Sequence, residues 1–207
     1  MFVSTASVGN IRPPSSVYLR ETMRKIVLIA ALVGLAAAAG CQAWPGGAVP
    51  APPGQNGNEA QERRAAIYAA VIRQLVTRDH TFGGGPSPFK RVFVADGVVH
   101  NAADPQVGRR PARPFSPAVK GMILRALRDL PPIRFVAEPD EVIVNCRVER
   151  GGALISLGAV REGRGDTVTV ANGLFFGCLG GQWLTYVLAP VREGWRVSGT
   201  KGPVAIS

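Results

Sequence analysis

VIVNCRVERGGALISLGAVREGRGDTVTVANGLFFGC, residues 142–178, decides how this chain folds. Val144, Cys146 and Val148 alternate with Asn145, Arg147 and Glu149. A period of two puts one set of side chains on each face of a strand. Gly151-Gly152 breaks the first segment, and Ala153–Val160 makes the next. Gly163-Arg164-Gly165-Asp166 is a turn, and alternation resumes over Thr167–Cys178. Turns this short join antiparallel neighbours.

The pattern continues outward on both sides. Gly180-Gly181 turns the chain into Trp183–Ala189, and Glu193-Gly194 turns it into Trp195–Ser198. Upstream, Arg91–Ala95 reads as a strand stopped at Asp96-Gly97. Two helices precede the meander. Over Glu59–Asp79, Tyr68, Val71, Ile72, Leu75 and Val76 recur at helical spacing, with Asn58 as the expected N-cap. Ser116-Pro117 is a helix start, and Val119, Met122, Ile123, Ala126, Leu127 and Leu130 form its apolar stripe. Pro131 and Pro132 end that helix. The expected class is α+β, with two helices packed on a curved antiparallel sheet of about five or six strands.

The N-terminus carries a different message. Ile26–Ala39 is an uncharged run of 14 residues. As a helix it spans about 21 Å, short of the roughly 30 Å of a bilayer core. It is also apolar on every face, unlike a surface helix of a folded domain. Met23-Arg24-Lys25 precedes it, which makes a positive n-region, an apolar h-region and a small-residue cut site. Translation is expected to start at Met23, with a long n-region from Met1 as the alternative. Ala38-Ala39-Gly40-Cys41 resembles the lipobox of bacterial lipoproteins, although alanine stands at 38 where leucine is usual. The resemblance implies cleavage between Gly40 and Cys41 and a lipid on the Cys41 thiol. Ordinary signal cleavage after Ala43, giving a secreted protein, is the alternative. Gln42–Asn58 is rich in proline and glycine and carries no charge, so it reads as a tether. The expected organisation is a signal peptide over 1–40, a lipidated cysteine and linker over 41–58, and one α+β domain over 59–207.

The 207 residues carry 24 Lys+Arg against 14 Asp+Glu, a net charge of +10. Cleavage before Cys41 removes Arg12, Arg20, Arg24, Lys25 and Glu21, which leaves about +7. An exported cationic protein is drawn to anionic headgroups or envelope polymers rather than nucleic acid. Arg109, Arg110 and Arg113 form the densest basic cluster and are the candidate contact with an anionic surface.

Signals for catalysis are sparse. His80 and His100 are the only histidines; Asp79 adjoins the first, and Asp104 lies four residues from the second. Two histidines without a CxxC partner do not make a zinc site, so neither a metal nor a cofactor is expected. No GxSxG elbow and no P-loop are present, and Ser87 lies in a Gly/Pro loop. Glu138, Asp140 and Glu141 flank a proline and could act as acids only if folding brought a further group close. The Arg164-Gly165-Asp166 tripeptide sits where a hairpin must turn.

Cys146 and Cys178 remain once Cys41 is lipidated. An even pair in an oxidising compartment favours a disulfide. In a simple meander, however, the strand Ala153–Val160 lies between them. Two strand spacings give about 9.6 Å, beyond the roughly 7 Å limit between Cα atoms of a disulfide. The alternative is a pair of buried thiols on the apolar face. The C-terminal stretches ALISLGAV, GCLGGQWLTYVL, GWRV and AIS resemble the closing meander of uncharacterised bacterial exported proteins of NTF2-like or cystatin-like shape. That resemblance implies a fold type and no activity.

The sequence thus suggests a membrane-anchored lipoprotein of the cell envelope that binds a polymer or protein partner. The alternative is a secreted or lipid-anchored hydrolase using a pocket between sheet and helices.

Overall fold

The computed structural model describes residues 55–80, 86–106 and 109–207. The apolar run, Gly40, Cys41 and most of the tether lie outside the described residues. Helix α1 (Gln55–Thr77) opens the described chain, starting four residues before the expected position. Asn58 is therefore inside the helix, where its amide donates to Glu62 at 3.0 Å. Helix α2 (Pro117–Ala126) starts as its sequence dictates. The Ser116 hydroxyl accepts from the Val119 N–H at 3.3 Å, and Pro117 occupies the first turn, where no intrahelical donor is needed.

Among the described residues, eight strands form one sheet. They are β1 (Arg91–Val98), β2 (Ile133–Val136), β3 (Ile143–Val144), β4 (Arg147–Val148), β5 (Gly152–Glu162), β6 (Val168–Gly177), β7 (Gly180–Val191) and β8 (Gly194–Ile206). The α+β class stands, with both helices packed on the sheet. The strands β5 to β8 are antiparallel neighbours in chain order, joined by the turns that the glycines mark. The sheet is mixed, however, because β1 runs parallel to both β2 and β5. A parallel pair needs a crossover, and the connection from β1 to β2 supplies one that carries α2.

The segment expected as one strand over 142–150 is broken. Pro139–Val142 is a 3-10 turn, β3 and β4 have two residues each, and Glu149–Gly151 is a second 3-10 turn. Asn145 and Cys146 take left-handed backbone angles at the hairpin between β3 and β4. Strand β4 then pairs with β6, with Arg147 opposite Gly177. This places Cys146 beside Cys178, with Cα atoms 5.3 Å apart in a disulfide. Strand β5 does not separate the two cysteines as it would in a simple meander. The broken segment instead reaches the end of β6 that β5 leaves free. Both cysteines are exposed, so the inward orientation expected from their parity is also corrected.

The main core lies between the helices and one sheet face. Ile67, Tyr68, Val71, Ile72, Leu75 and Val76 of α1 and Val119 and Ile123 of α2 pack on this face. They meet Val92, Val94, Ile155, Leu157, Val170, Leu174, Leu184 and Leu188 from the strands. Fully burying an aliphatic side chain of this size stabilises by about 1.5–3 kcal/mol. Arg73 ties α1 to the chain just after α2, with hydrogen bonds of 2.6 and 2.8 Å to Asp129 and 2.9 Å to the Ala126 carbonyl. The bond from Arg73 holds the Asp129 carboxyl down at about 2. The opposite sheet face is covered over only part of its area. Phe93, Leu154, Phe175 and Trp183 pack there against Val136, Val142 and Val148. Ala95, Val99, Ala102 and Ala171 continue that cover.

Candidate functional site: an open trough on the outer sheet face

The uncovered part of the outer face is a trough of about 500 Å³. Its floor is Gly158 and Ala159 of β5, Thr169 and Ala171 of β6 and Thr185 of β7. These are small side chains on strands whose other parity is large: Val168, Val170, Leu184 and Tyr186 all enter the helix-side core. Large residues at the floor positions would fill the space. One wall is the loop after β1, with His100, Asn101 and Asp104; the other is Lys201, Gly202 and Pro203 of β8. Arg161 of β5 stands at the rim.

Three irregularities in the strands shape this trough. The pairing of β1 with β5 shifts between Val94 and Val98, where Gly97 has φ 147°. The pairing of β5 with β6 shifts between Leu157 and Val160. On β8, Lys201 pairs with Thr185 but Ala205 pairs with Trp183, so Gly202 (φ 76°) and Pro203 bulge out of the ladder. Bulges of this kind bend strands and re-aim side chains, and they concentrate beside binding and active sites. The β5 bulge is fixed from the opposite face: the Tyr68 hydroxyl donates to the Gly158 carbonyl at 3.0 Å. Burial pushes the Tyr68 phenol up to about 12, so it remains a donor at any physiological pH.

The register sets two rows across the floor. Arg161, Thr169 and Val187 lie opposite one another on β5, β6 and β7. Lys201, Thr185 and Ala171 do so on β8, β7 and β6. Arg161 and Lys201 therefore face the trough from opposite sides. Asp104 is the one carboxylate of the lining, and its Oδ1 accepts the Gln106 N–H of its own loop at 2.9 Å. Glu162 lies next to Arg161 in sequence but is held by Arg63, with hydrogen bonds of 2.8 and 3.0 Å.

The other sequence candidates lie elsewhere. The expected basic cluster is partly engaged within the chain. Arg109 lies over the Phe175 ring at 4.4 Å and 3.9 Å from Asp140, and Arg110 bonds Glu138 at 2.6 Å. Arg113 is exposed and pairs through its backbone with Val98. Glu138 and Asp140 are thus arginine partners rather than a convergent acid pair. Ser87 accepts the Phe89 N–H at 3.3 Å as part of its loop. Arg164-Gly165-Asp166 lies in the turn between β5 and β6, closed by the Gly163 N–H on the Thr167 carbonyl at 2.8 Å. His80 lies just past the end of α1 but is buried: it is 3% exposed and stands edge-on to Phe89, with ring centroids 6.0 Å apart. Beside it the Tyr186 hydroxyl donates to Asp79 at 2.7 Å, and Gln74 donates to the same oxygen at 3.1 Å. Burial and this bond push the Tyr186 phenol far above its usual range.

The face between helices and sheet is packed with side chains, and two further clefts flank α1. One carries Arg63, Tyr68 and Glu162; the other carries Arg73, Arg78, Trp195 and Arg196. Neither gathers a histidine. Among the described residues, no three His, Cys, Asp or Glu side chains stand close enough to hold a metal ion, and no helix is long and apolar enough to cross a membrane. Sequence reading noted His100 and Asp104 but missed Arg161, Lys201, Thr169 and Thr185. Their signal was the row of small residues on one parity of the meander, which becomes a trough only once the bulges are known. No family model matches this chain, and no curated protein or solved structure matches it.

Proposed function

We propose that this chain is a lipid-anchored binding module of the cell envelope, working through the trough on its outer sheet face. The observation that carries the binding reading is the division of labour between the two sheet faces. The helix side is filled by apolar side chains. The outer side keeps an open concavity with a small-residue floor and charged rims. That is a surface for holding a ligand, and its polar groups do not converge as an acid, a base and a nucleophile must. The envelope reading rests on the run before Cys41 and is supported by the Cys146–Cys178 disulfide, because such bonds persist in oxidising compartments. The lipid on Cys41 would hold the domain at a membrane, and the stretch before α1, which begins at Gln55, would let it stand clear of the surface. A proline- and glycine-rich stretch of the length of 42–54 reaches about 20 Å on average.

The test is metabolic labelling with a radioactive fatty acid in a bacterial host. The wild-type chain is expected to take up label and to sediment with membranes. Cys41→Ala is expected to take up none and to accumulate at the mass of the uncut precursor. Release of Cys41→Ala as a soluble protein beginning near Trp44 contradicts the anchor.

A further inference from the structure

We infer that the trough seats a phosphate group of a phosphorylated ligand, over Thr169 and Thr185 and between Arg161 and Lys201. This rests on the outer face being the binding surface and names what it binds.

The chain pairs many of its cations: Arg63 with Glu162, Arg73 with Asp129, Arg110 with Glu138 and Lys120 with Asp96. Arg161 and Lys201 have no anionic partner among the described residues. The nearest acid in sequence, Glu162, is engaged by Arg63. Asp104 directs one oxygen to its own loop backbone. Two cations on facing rims, with little negative charge between them, raise the local concentration of an anion.

The two cations are also within reach of one group. Arg161 and Lys201 stand on β5 and β8, three strand spacings apart, which is about 14 Å. Their rows are offset by two residues along the strands, about 7 Å. Two long side chains reaching inward close a gap of that order onto one central group. Thr169 and Thr185 stand between them, on the adjacent strands β6 and β7.

The chemistry of the lining selects the group that fits. Guanidinium and ammonium donate only, and the threonine hydroxyls can donate as well. A group rich in acceptor oxygens and carrying negative charge satisfies them all, and a planar guanidinium matches phosphate oxygens in pairs. The lining has no Phe, Tyr or Trp on which a neutral sugar or a base would stack, and its one aromatic ring is the His100 imidazole in the loop wall. The phosphate can belong to a small soluble metabolite or to a lipid headgroup, and the chemistry of the seat is the same.

The test is calorimetric titration of the full chain with glycerol 1-phosphate and, separately, with the soluble short-chain lipid dihexanoyl phosphatidylglycerol. Saturable binding of either probe is expected. Arg161→Gln and Lys201→Gln should each weaken it roughly three- to tenfold, and the pair together by more than about thirtyfold. Arg196→Gln, in the cleft between α1 and β8, should leave it unchanged. Binding of the first probe assigns a soluble phosphate, and binding of the lipid alone assigns a headgroup; both support the inference when the trough substitutions weaken them as stated. Failure of both probes to bind, or a loss that follows Arg196 instead, overturns it. Polygalacturonate, which bears carboxylates alone, separates the two levels of the account. If it binds through Arg161 and Lys201 while phosphate does not, the phosphate seat is wrong and the binding surface stands.

Discussion

The double substitution Cys146→Ser with Cys178→Ser is expected to lower stability by about 3–4 kcal/mol. The disulfide spans a sequence separation of 32 residues, and the chain-entropy relation gives a value in this range for such a loop. The bond does more than shorten the unfolded chain. It ties the β3–β4 hairpin to the end of β6, where the backbone pairing amounts to Arg147 opposite Gly177. Val142 and Val148 are buried against Phe93, Leu154 and Phe175 as long as that segment stays down. For a domain of this size the loss corresponds to a melting temperature lower by roughly 10 °C. Both cysteines are exposed, so a mild reductant should reach the bond in the folded protein and give the wild type the same melting temperature as the variant. A wild type whose melting is unaffected by reductant would show two free thiols instead.

Gly97→Ala is expected to cost about 3–5 kcal/mol and to open the wall of the trough. At this position φ is 147°, a region that side chains rarely adopt. An added Cβ would meet the backbone carbonyl of Arg113 and the side chain of Pro111. Those contacts exist because residues 111–113 return along β1, where the Ala112 N–H bonds the Val98 carbonyl at 2.9 Å. Backbone strain and collision therefore act together. Gly165→Ala separates the two, since φ there is 61° and nothing lies within 4 Å of the added carbon. It should cost only about 1–2 kcal/mol. Chemical denaturation of both variants checks the contrast, and equal losses would mean that the return of residues 111–113 does not constrain Gly97.

Local pattern carried much of the fold. The stripe from Tyr68 to Val76, the Ser116-Pro117 start and the alternation around Gly163 and Gly180-Gly181 were all legible, because each depends on neighbours in the chain. The parallel pairing of β1 was not. It depends on where α2 returns the chain, and no residue of Arg91–Val98 records which strands will flank it. The same gap misplaced the cysteines: a meander assumption put β5 between them, whereas Asn145 and Cys146 turn the chain back early. Strand β8 runs to Ile206, well beyond the expected Ser198, because Gly199, Gly202 and Pro203 hide its alternation. Those interrupting residues also build one wall of the trough. The candidate site was therefore illegible for the reason that the strand was.

The basic cluster teaches a related lesson. Arg109, Arg110 and Arg113 are dense in sequence, and density suggested an anionic contact. Folding gives Arg109 a ring and Arg110 a carboxylate within the chain. The two cations facing the trough are 40 residues apart in sequence and meet only through the register of β5 to β8.

The central claim is that the accessible face of this sheet is the one away from the helices. Thr169 and Val170 are consecutive on β6 and face opposite ways, Thr169 into the trough and Val170, 0% exposed, into the helix-side core. Single cysteines at these two positions, in the folded protein with its native disulfide intact, can be timed against a maleimide reagent. Thr169→Cys is expected to react at a rate close to that of an exposed thiol, and Val170→Cys only as fast as the domain unfolds. Rapid labelling at 170 with protection at 169 would contradict the account.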